Sequence, residues 1–364
     1  MEKRIFIITG EHSGDKHASS VVRELRKLGS SLIIEGIGSK NLEEQGVKLF
    51  GGHEKMGKMG LTPKTIIDHF ALGRRIVDYL KREFKPDLVL LVDYGAFNLA
   101  ISKHLKAAGF KVFYFIPPQI WASRKWRLKT IKRNVDKVLT IFPFESEFYD
   151  EAGIDSVFVG HPLIGELPPK ADREEFFARH ELARNKKLIS IFPGSRMFEI
   201  KHLLKIFEKA TEMIEKARPD VQFVFSHAPN LPDNAFKTKR KTIKGENHAL
   251  LSASDALILA SGTVALEAAL YKTPMIIAYR APIFFYLIYL LVRSIKKACL
   301  VNIITKKDIV PEFLMFDCTA KKISGEILNI LDNPQNQVLD EVSKLLGTKR
   351  CALEAAKIIS EELK

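Results

Sequence analysis

Asp93 closes an apolar run, Leu88–Val92, and opens Asp93-Tyr94-Gly95-Ala96-Phe97-Asn98. A carboxylate at the carboxyl end of a strand stands where ligands collect in open α/β sheets, and it can act as a general base. The alternative is an Asx turn or a cap for the helical stretch near Asn98. Pro193-Gly194-Ser195-Arg196 ends the apolar run Leu188–Phe192 and opens the helical pattern Met197–Arg218. Amide groups at a helix start attract phosphate, and the Arg196 guanidinium is a fork of donors matched to a diphosphate. A plain βα turn with an exposed arginine is the simpler reading of that segment alone. Ala260-Ser261-Gly262-Thr263 follows another strand pattern and opens the helix Val264–Ala269. Ser261 and Thr263 suit helix caps, and Gly262 lets backbone approach a ligand. Glu267 lies one helical turn beyond Thr263, where a carboxylate can accept both hydroxyls of a ribose. Two such turns in one half point to a nucleotide diphosphate more strongly than either alone.

Other segments narrow the chemistry. Thr9-Gly10-Glu11-His12-Ser13-Gly14-Asp15 follows the first strand pattern but is not GxGxxG, which argues against a dinucleotide. Asp-x-Asp, HExxH and GxxxxGK[ST] are all missing from the sequence, which disfavours a carboxylate-held Mg²⁺ and P-loop chemistry. A departing diphosphate would then be neutralised by cationic side chains and helix dipoles. His161, before Pro162, has no second histidine at ligand spacing, so no metal site is expected. Pro117-Pro118-Gln119-Ile120-Trp121 stands beside Trp126 and the run Arg124–Arg133, which holds six cations and no acid. Such an aromatic and basic loop could bind nucleic acid or a lipid phosphate.

With 57 Lys and Arg against 43 Asp and Glu, the chain carries a formal charge of +14, which draws it to an anionic partner: nucleic acid, acidic lipid or phosphorylated metabolite. Lys237–Lys244 forms a second basic cluster, and Arg293, Lys296 and Lys297 a third; any single run is usually a solvated face. Ile283–Val292 is an apolar stretch of ten residues ended by Arg293. It is too short to span a bilayer; it reads as a buried helix or as one lying in a membrane interface. The early run Ile5–Ile8 is too short for a signal-peptide core and reads as a buried strand, so a cytoplasmic protein is expected. Cys299, Cys318 and Cys351 lie far apart, which excludes a disulfide framework.

Elements that would position these residues follow a regular alternation. Arg4–Thr9, Leu32–Ile37, Leu88–Asp93, Val112–Ile116, Lys137–Phe142 and Ser156–Gly160 read as strands, with helical patterns such as Ala18–Leu28, Lys64–Glu83 and Asn98–Ala108 between them. After a proline-rich linker at residues 160–170, Leu188–Phe192, Val221–Ser226, Ala256–Ala260 and Met275–Tyr279 repeat the pattern. Strands joined by helices make parallel, doubly wound sheets. The expectation is an α/β chain of two Rossmann-like domains facing a cleft, with a purely helical tail from Lys322.

The ordered blocks Gly10–Asp15, Lys58–Gly60, Asp93–Asn98, Pro117–Ala122, Phe142–Glu145, Gly160–Pro162, Pro193–Arg196, Ser261–Glu267, Pro274–Arg280, Val301–Ile304 and Pro311-Glu312 together closely resemble the lipid-A-disaccharide synthases over nearly the whole chain. The resemblance implies a GT-B inverting glycosyltransferase. Residues 1–165 would take the lipid acceptor, joined by C-terminal helices 340–364, and residues 166–339 would take the UDP-sugar. It implies transfer from UDP-2,3-diacylglucosamine to 2,3-diacylglucosamine 1-phosphate (lipid X), without a metal or other cofactor. The work would be done at the cytoplasmic face of the inner membrane, with no nucleic acid and with a possible homodimer exchanging C-terminal segments. Another UDP-sugar enzyme of this fold, an epimerase or a different lipid glycosyltransferase, is the alternative.

Carried over by position, Asp93 is the base for the acceptor hydroxyl, and Arg196 and Asn302 serve UDP binding and catalysis. Ser13, Gly194, Ser195, Ser261, Gly262, Thr263, Glu267, Tyr279 and Glu312 would lie at the donor. Met59, Trp121, Arg124, Phe284, Phe285, Tyr286, Tyr289 and Arg293 would face the acceptor or membrane. Ala96, Pro63, Ser123 and Met315 depart from the family pattern, Ala96 replacing a frequent second acid, and all four bear on acceptor recognition.

Overall fold

The computed structural model describes residues 2–364 apart from 11, 30, 51–62, 236, 283–285, 287–289, 291–296 and 335. Met59, Phe284, Phe285, Tyr289 and Arg293, named above, lie outside the described residues. The chain forms two compact units, Met1–Gly165 with Leu346–Lys364, and Glu166–Leu345.

The first unit holds seven strands: β1 (Lys3–Ile8), β2 (Leu32–Ile37), β3 (Lys48–Leu49), β4 (Leu88–Val92), β5 (Val112–Phe115), β6 (Lys137–Thr140) and β7 (Ser156–Phe158). Their order is β3-β2-β1-β4-β5-β6-β7, parallel throughout. The second unit holds β8 (Lys187–Phe192), β9 (Val221–His227), β10 (Lys241–Lys244), β11 (Ala256–Ala260), β12 (Met275–Tyr279) and β13 (Glu312–Leu314), ordered β10-β9-β8-β11-β12-β13 and also parallel. Every residue of β4 and of β11 is buried, as parallel strands covered by helices on both faces require. The last helix, Cys351–Glu362, completes the first unit: Ala355, Ala356 and Ile359 join Val21, Val22 and Leu25 of the helix His12–Lys27 in one apolar cluster.

In each sheet the connection reverses direction once, between β1 and β4 and between β8 and β11. Such switch points leave a crevice at the carboxyl ends of the strands. Asp93 follows β4 directly, and the turns 193–196 and 261–263 follow β8 and β11, so the chemistry-bearing residues stand at the two switch points.

Three strands escape the sequence pattern: β3, β10 and β13. All are short and lie at sheet edges. The second half of the basic run 237–244 forms the edge strand β10, and three cations of the run are paired within the chain. Arg240 binds both Glu215 oxygens at 3.0 and 2.7 Å, Lys244 reaches Asp233 at 2.5 Å, and Lys241 donates to the His180 carbonyl. Lysines on an edge strand also discourage pairing with another chain.

Candidate active site

At the first switch point the chain makes an uncommon turn. Asp93 and Tyr94 both have φ of +50°, left-handed backbone that costs non-glycine residues strain. The turn is pinned from beneath. Buried Asn98 donates from Nδ2 to the carbonyls of Asp93 (2.8 Å), Val92 (3.2 Å) and Ile8 (3.4 Å), and the Tyr114 hydroxyl donates to the Asp93 carbonyl at 2.8 Å. The Ser13 hydroxyl donates to Asp93 Oδ2 at 3.4 Å, so Ser13, expected at the nucleotide, belongs with Asp93. Gly10 is required here: a Cβ on it would meet the Tyr94 ring at 2.1 Å. Within the block Gly10–Asp15, Gly10 and Ser13 thus both meet the Asp93-Tyr94 turn.

Beside this turn Trp121 is corrected from a membrane-facing residue to a core one. It is 5% exposed, packs edge-on against Phe144 and donates from Nε1 to Glu145 Oε1 at 2.8 Å. Trp126, at 61% exposure, is the indole that reaches solvent, next to exposed Arg124 and Lys125. Glu145 also accepts the amides of Ile141 and Phe142 at 3.2 Å each. Burial pushes its carboxyl up from 4.5 to about 7 against those three donors. Between these two values the unfolded chain releases a proton that the folded chain keeps. Folding therefore has this stabilisation in full below pH 4.5 and loses about 3 kcal/mol of it as pH rises to about 7. Glu145→Gln should flatten that part of the pH dependence. Urea unfolding followed by tryptophan fluorescence checks it, since both tryptophans report on the first unit. Parallel slopes for the two proteins would refute it. His161 is a buried structural residue: its ring lies against Phe142, its Nδ1 accepts the Leu163 amide, and burial lowers it to about 4.

The second switch point holds a pocket of about 400 Å³, between the turns after β8 and β11 and lined also by Ser226, Asn247 and Glu267. The two turns differ in a way the sequence did not reveal. After β8, the Glu199 carboxylate accepts the amides of Ser195 (2.9 Å) and Arg196 (3.2 Å), the glutamate half of a capping box. Gly194, at φ +117°, makes room for it, because a Cβ there would meet Glu199 Oε2 at 2.2 Å. The expectation that these amides hold phosphate is therefore corrected: a carboxylate of the chain already occupies them. What this turn offers an anion is the Arg196 guanidinium, 79% exposed and tethered to Glu199 Oε1 at 3.4 Å.

The turn after β11 is open by contrast. Thr263 makes no side-chain cap, and the Ser261 hydroxyl turns away to the Ala298 carbonyl at 3.3 Å. Glu267 lines the same pocket, its carboxylate 3.7 Å from His248 Nδ1. Asn247, missed from sequence, is oriented there by Ser226, whose hydroxyl donates to Asn247 Oδ1 at 2.7 Å. A pocket polar residue with no motif around it leaves no sequence signal.

Asn302 and Glu312 build the wall rather than face the pocket. Asn302 is 1% exposed; its Nδ2 donates to Val310 O (2.7 Å) and Glu312 Oε1 (2.8 Å), and its Oδ1 accepts the amides of Ile309 and Val310. Glu312 Oε2 takes the Ala298 amide at 2.7 Å. Both side-chain polar atoms of Asn302 are thus engaged within the chain, linked through Glu312 and Ala298 to Ser261. Tyr279 ends β12, and Tyr286 is half-buried with its amide on Pro282 O at 3.2 Å. Burial raises the Cys299 thiol to about 12 and the Cys318 thiol to about 11, and all three cysteines are buried outside any disulfide. Among the described residues no three His, Cys, Asp or Glu side chains gather as metal ligands, and no helix is long and apolar enough to cross a membrane.

Two parallel, doubly wound α/β sheets, each with chemistry-bearing turns at its switch point, and a closing helical segment are the elements of the GT-B fold. Solved structures of this fold cover the whole chain: the glycotransferase of kitacinnamycin (TM-score 0.68, 11% identity, 100% of each chain) and a putative UDP-N-acetylglucosamine 2-epimerase from Listeria monocytogenes (TM-score 0.66, 15% identity, 100% of this chain and 98% of that one). Residues 5–361 match the family described as lipid-A-disaccharide synthetase. Curated relatives include lipid-A-disaccharide synthase 1 of Legionella pneumophila strain Lens, 36% identical over 94% of this chain and 92% of its own. Another is the lipid-A-disaccharide synthase of Geobacter metallireducens, 33% identical over 99% and 97%. The chain belongs to the lipid-A-disaccharide synthase family and is a glycosyltransferase of lipid A biosynthesis.

Proposed function

We propose that the chain transfers 2,3-diacylglucosamine from UDP-2,3-diacylglucosamine to the 6-hydroxyl of 2,3-diacylglucosamine 1-phosphate, giving the β(1→6) disaccharide 1-phosphate and UDP with inversion. The observation that carries the residue assignment is the pinned, strained turn that holds the Asp93 carboxylate at a switch point. Asp93 accepts the proton of the acceptor hydroxyl as that oxygen bonds to the sugar C1. The bond from C1 to the diphosphate oxygen breaks on the opposite face through an oxocarbenium-like transition state, and UDP leaves with the electron pair. The unit 166–345 takes the donor: Glu267 holds the ribose hydroxyls, and the open turn at Ser261–Thr263 and the Arg196 guanidinium stabilise the departing diphosphate. With the Arg196 guanidinium and the open helix start neutralising the diphosphate, the reaction proceeds without a metal ion.

The first unit takes the acceptor. Exposed Arg124, Lys125 and Trp126 suit an anionic membrane face, which accords with work at the cytoplasmic side of the inner membrane. Exchange of the C-terminal helix in a homodimer is supported by the way that segment returns to finish the first unit's core. Incubation with the two diacylated substrates, with and without a chelator, should release UDP and form disaccharide equally in both. An isomerised UDP-sugar without UDP release would replace this reading with an epimerase.

A further inference from the structure

Asn247 lines the pocket of the second unit without belonging to any of its motifs, and its partner fixes which way its amide faces. It opens the helix Asn247–Ala253, and its Oδ1 accepts the hydroxyl of Ser226 at 2.7 Å. Ser226 stands in β9 and is 4% exposed, so its proton depends on that acceptor. Turning the amide over would set Nδ2 against the hydroxyl oxygen and strand a buried proton, which costs more than the bond is worth in water. The amide is therefore held one way round. What it presents to the pocket is Nδ2, with two donors and no acceptor.

The place of Asn247 decides what those donors meet. The diphosphate turns follow β8 and β11. Ser226 belongs to β9 and Asn247 follows β10, and in the order β10-β9-β8-β11 both lie to one side of those turns. The pocket of about 400 Å³ thus runs from the diphosphate turns toward Asn247. Glu267, placed at the ribose, has its carboxylate 3.7 Å from Nδ1 of His248, the residue next to Asn247. A nucleobase joined to that ribose has Asn247 at its edge, and Ala228 in the same wall contributes only a methyl, which leaves the base room.

We propose that Asn247, oriented by Ser226, selects the base of the donor nucleotide: Nδ2 donates to the C4 carbonyl of uracil and opposes the C4 amino group of cytosine. The two pyrimidines differ at C4 as acceptor against donor, and a fixed donor facing an amino group leaves both without a partner. The proposal rests on the transferase reading above and adds the residue pair that sets its base specificity.

Calorimetric titration of the unaltered chain, Asn247→Asp and Ser226→Ala with UDP and with CDP tests it, with thermal unfolding as the check on folding. The unaltered chain should prefer UDP. In Asn247→Asp the ratio of UDP to CDP affinity should fall about tenfold, because a carboxylate accepts from the cytosine amino group and repels the uracil carbonyl. Its charge also opposes the diphosphate, but equally for both nucleotides, so the ratio is unaffected by that. In Ser226→Ala the ratio should fall about threefold, since nothing then prevents the amide from turning over. Equal binding of UDP and CDP by the unaltered chain overturns the proposal. So does an unchanged ratio in both variants, or a loss common to the two nucleotides, which would put Asn247 at the ribose or the diphosphate. The transferase reading stands or falls separately. Disaccharide formation with an unchanged ratio keeps the reaction and rejects the base selector, whereas a UDP preference lost in the variants upholds the selector even if no disaccharide forms.

Discussion

Asp93→Asn is expected to lower turnover by about 10²–10⁴-fold, the usual worth of a general base, while UDP affinity stays within about twofold. Asparagine has the same shape and keeps the turn, because what pins the turn is the main-chain carbonyl of residue 93, held by Asn98 and Tyr114. It loses only the ability to take a proton. UDP affinity is spared because the residues lining the donor pocket all belong to the unit 166–345. Asp93→Glu should rescue little: the extra methylene shifts the carboxylate from a site whose backbone, at φ +50°, has few ways to yield. Single-turnover UDP release and calorimetric titration with UDP separate the two effects. Turnover equal to that of the unaltered chain would remove Asp93 from the chemistry. Loss of UDP affinity in step with rate would make the residue structural.

That Asp93 stands at a switch point was legible because it ends a wholly apolar run, although the same residue could equally have been an Asx turn or a helix cap. The strands β4 and β11 were legible for a related reason: a strand covered on both faces writes itself as an unbroken apolar stretch. The edge strands β3, β10 and β13 carry no such mark, and β10 hides within a run of lysines that reads as solvated surface. The departures within the site share one physical cause, pairing between residues whose partnership depends on the fold. Trp121 looked exposed beside a cluster of cations until Glu145, 24 positions away, was found beneath it. Asn302, placed at the nucleotide by the resemblance alone, has partners in Glu312 and the 309–310 amides that no spacing in the sequence announces. Glu199 carried a local signal, an acid three residues past the helix start, but an arginine at the capping position masked it.

That capping box makes Arg196 the residue of second-largest expected effect. Arg196→Ala should cost about 10²–10³-fold in kcat/KM, the range for removing one preorganised donor from a developing oxyanion. The magnitude follows from what remains. Glu199 consumes the amides of Ser195 and Arg196 and sets a negative charge against the helix start, so without the guanidinium this turn offers a diphosphate no positive group. Stability should scarcely change, because the Arg196–Glu199 pair is exposed on the arginine side and such pairs contribute little. Arg196→Lys should recover only part of the rate, since an ammonium restores the charge but not the two parallel donors. Glu199→Gln should move the other way on UDP affinity: it weakens the cap but lifts a repulsive carboxylate from the pocket wall. Steady-state kinetics on the three variants, with thermal unfolding alongside, distinguishes the contributions. If Arg196→Ala turned over normally, the open turn at Ser261–Thr263 would have to carry the leaving group by itself. In that case the exposed arginine beside β8 would be a plain surface residue after all.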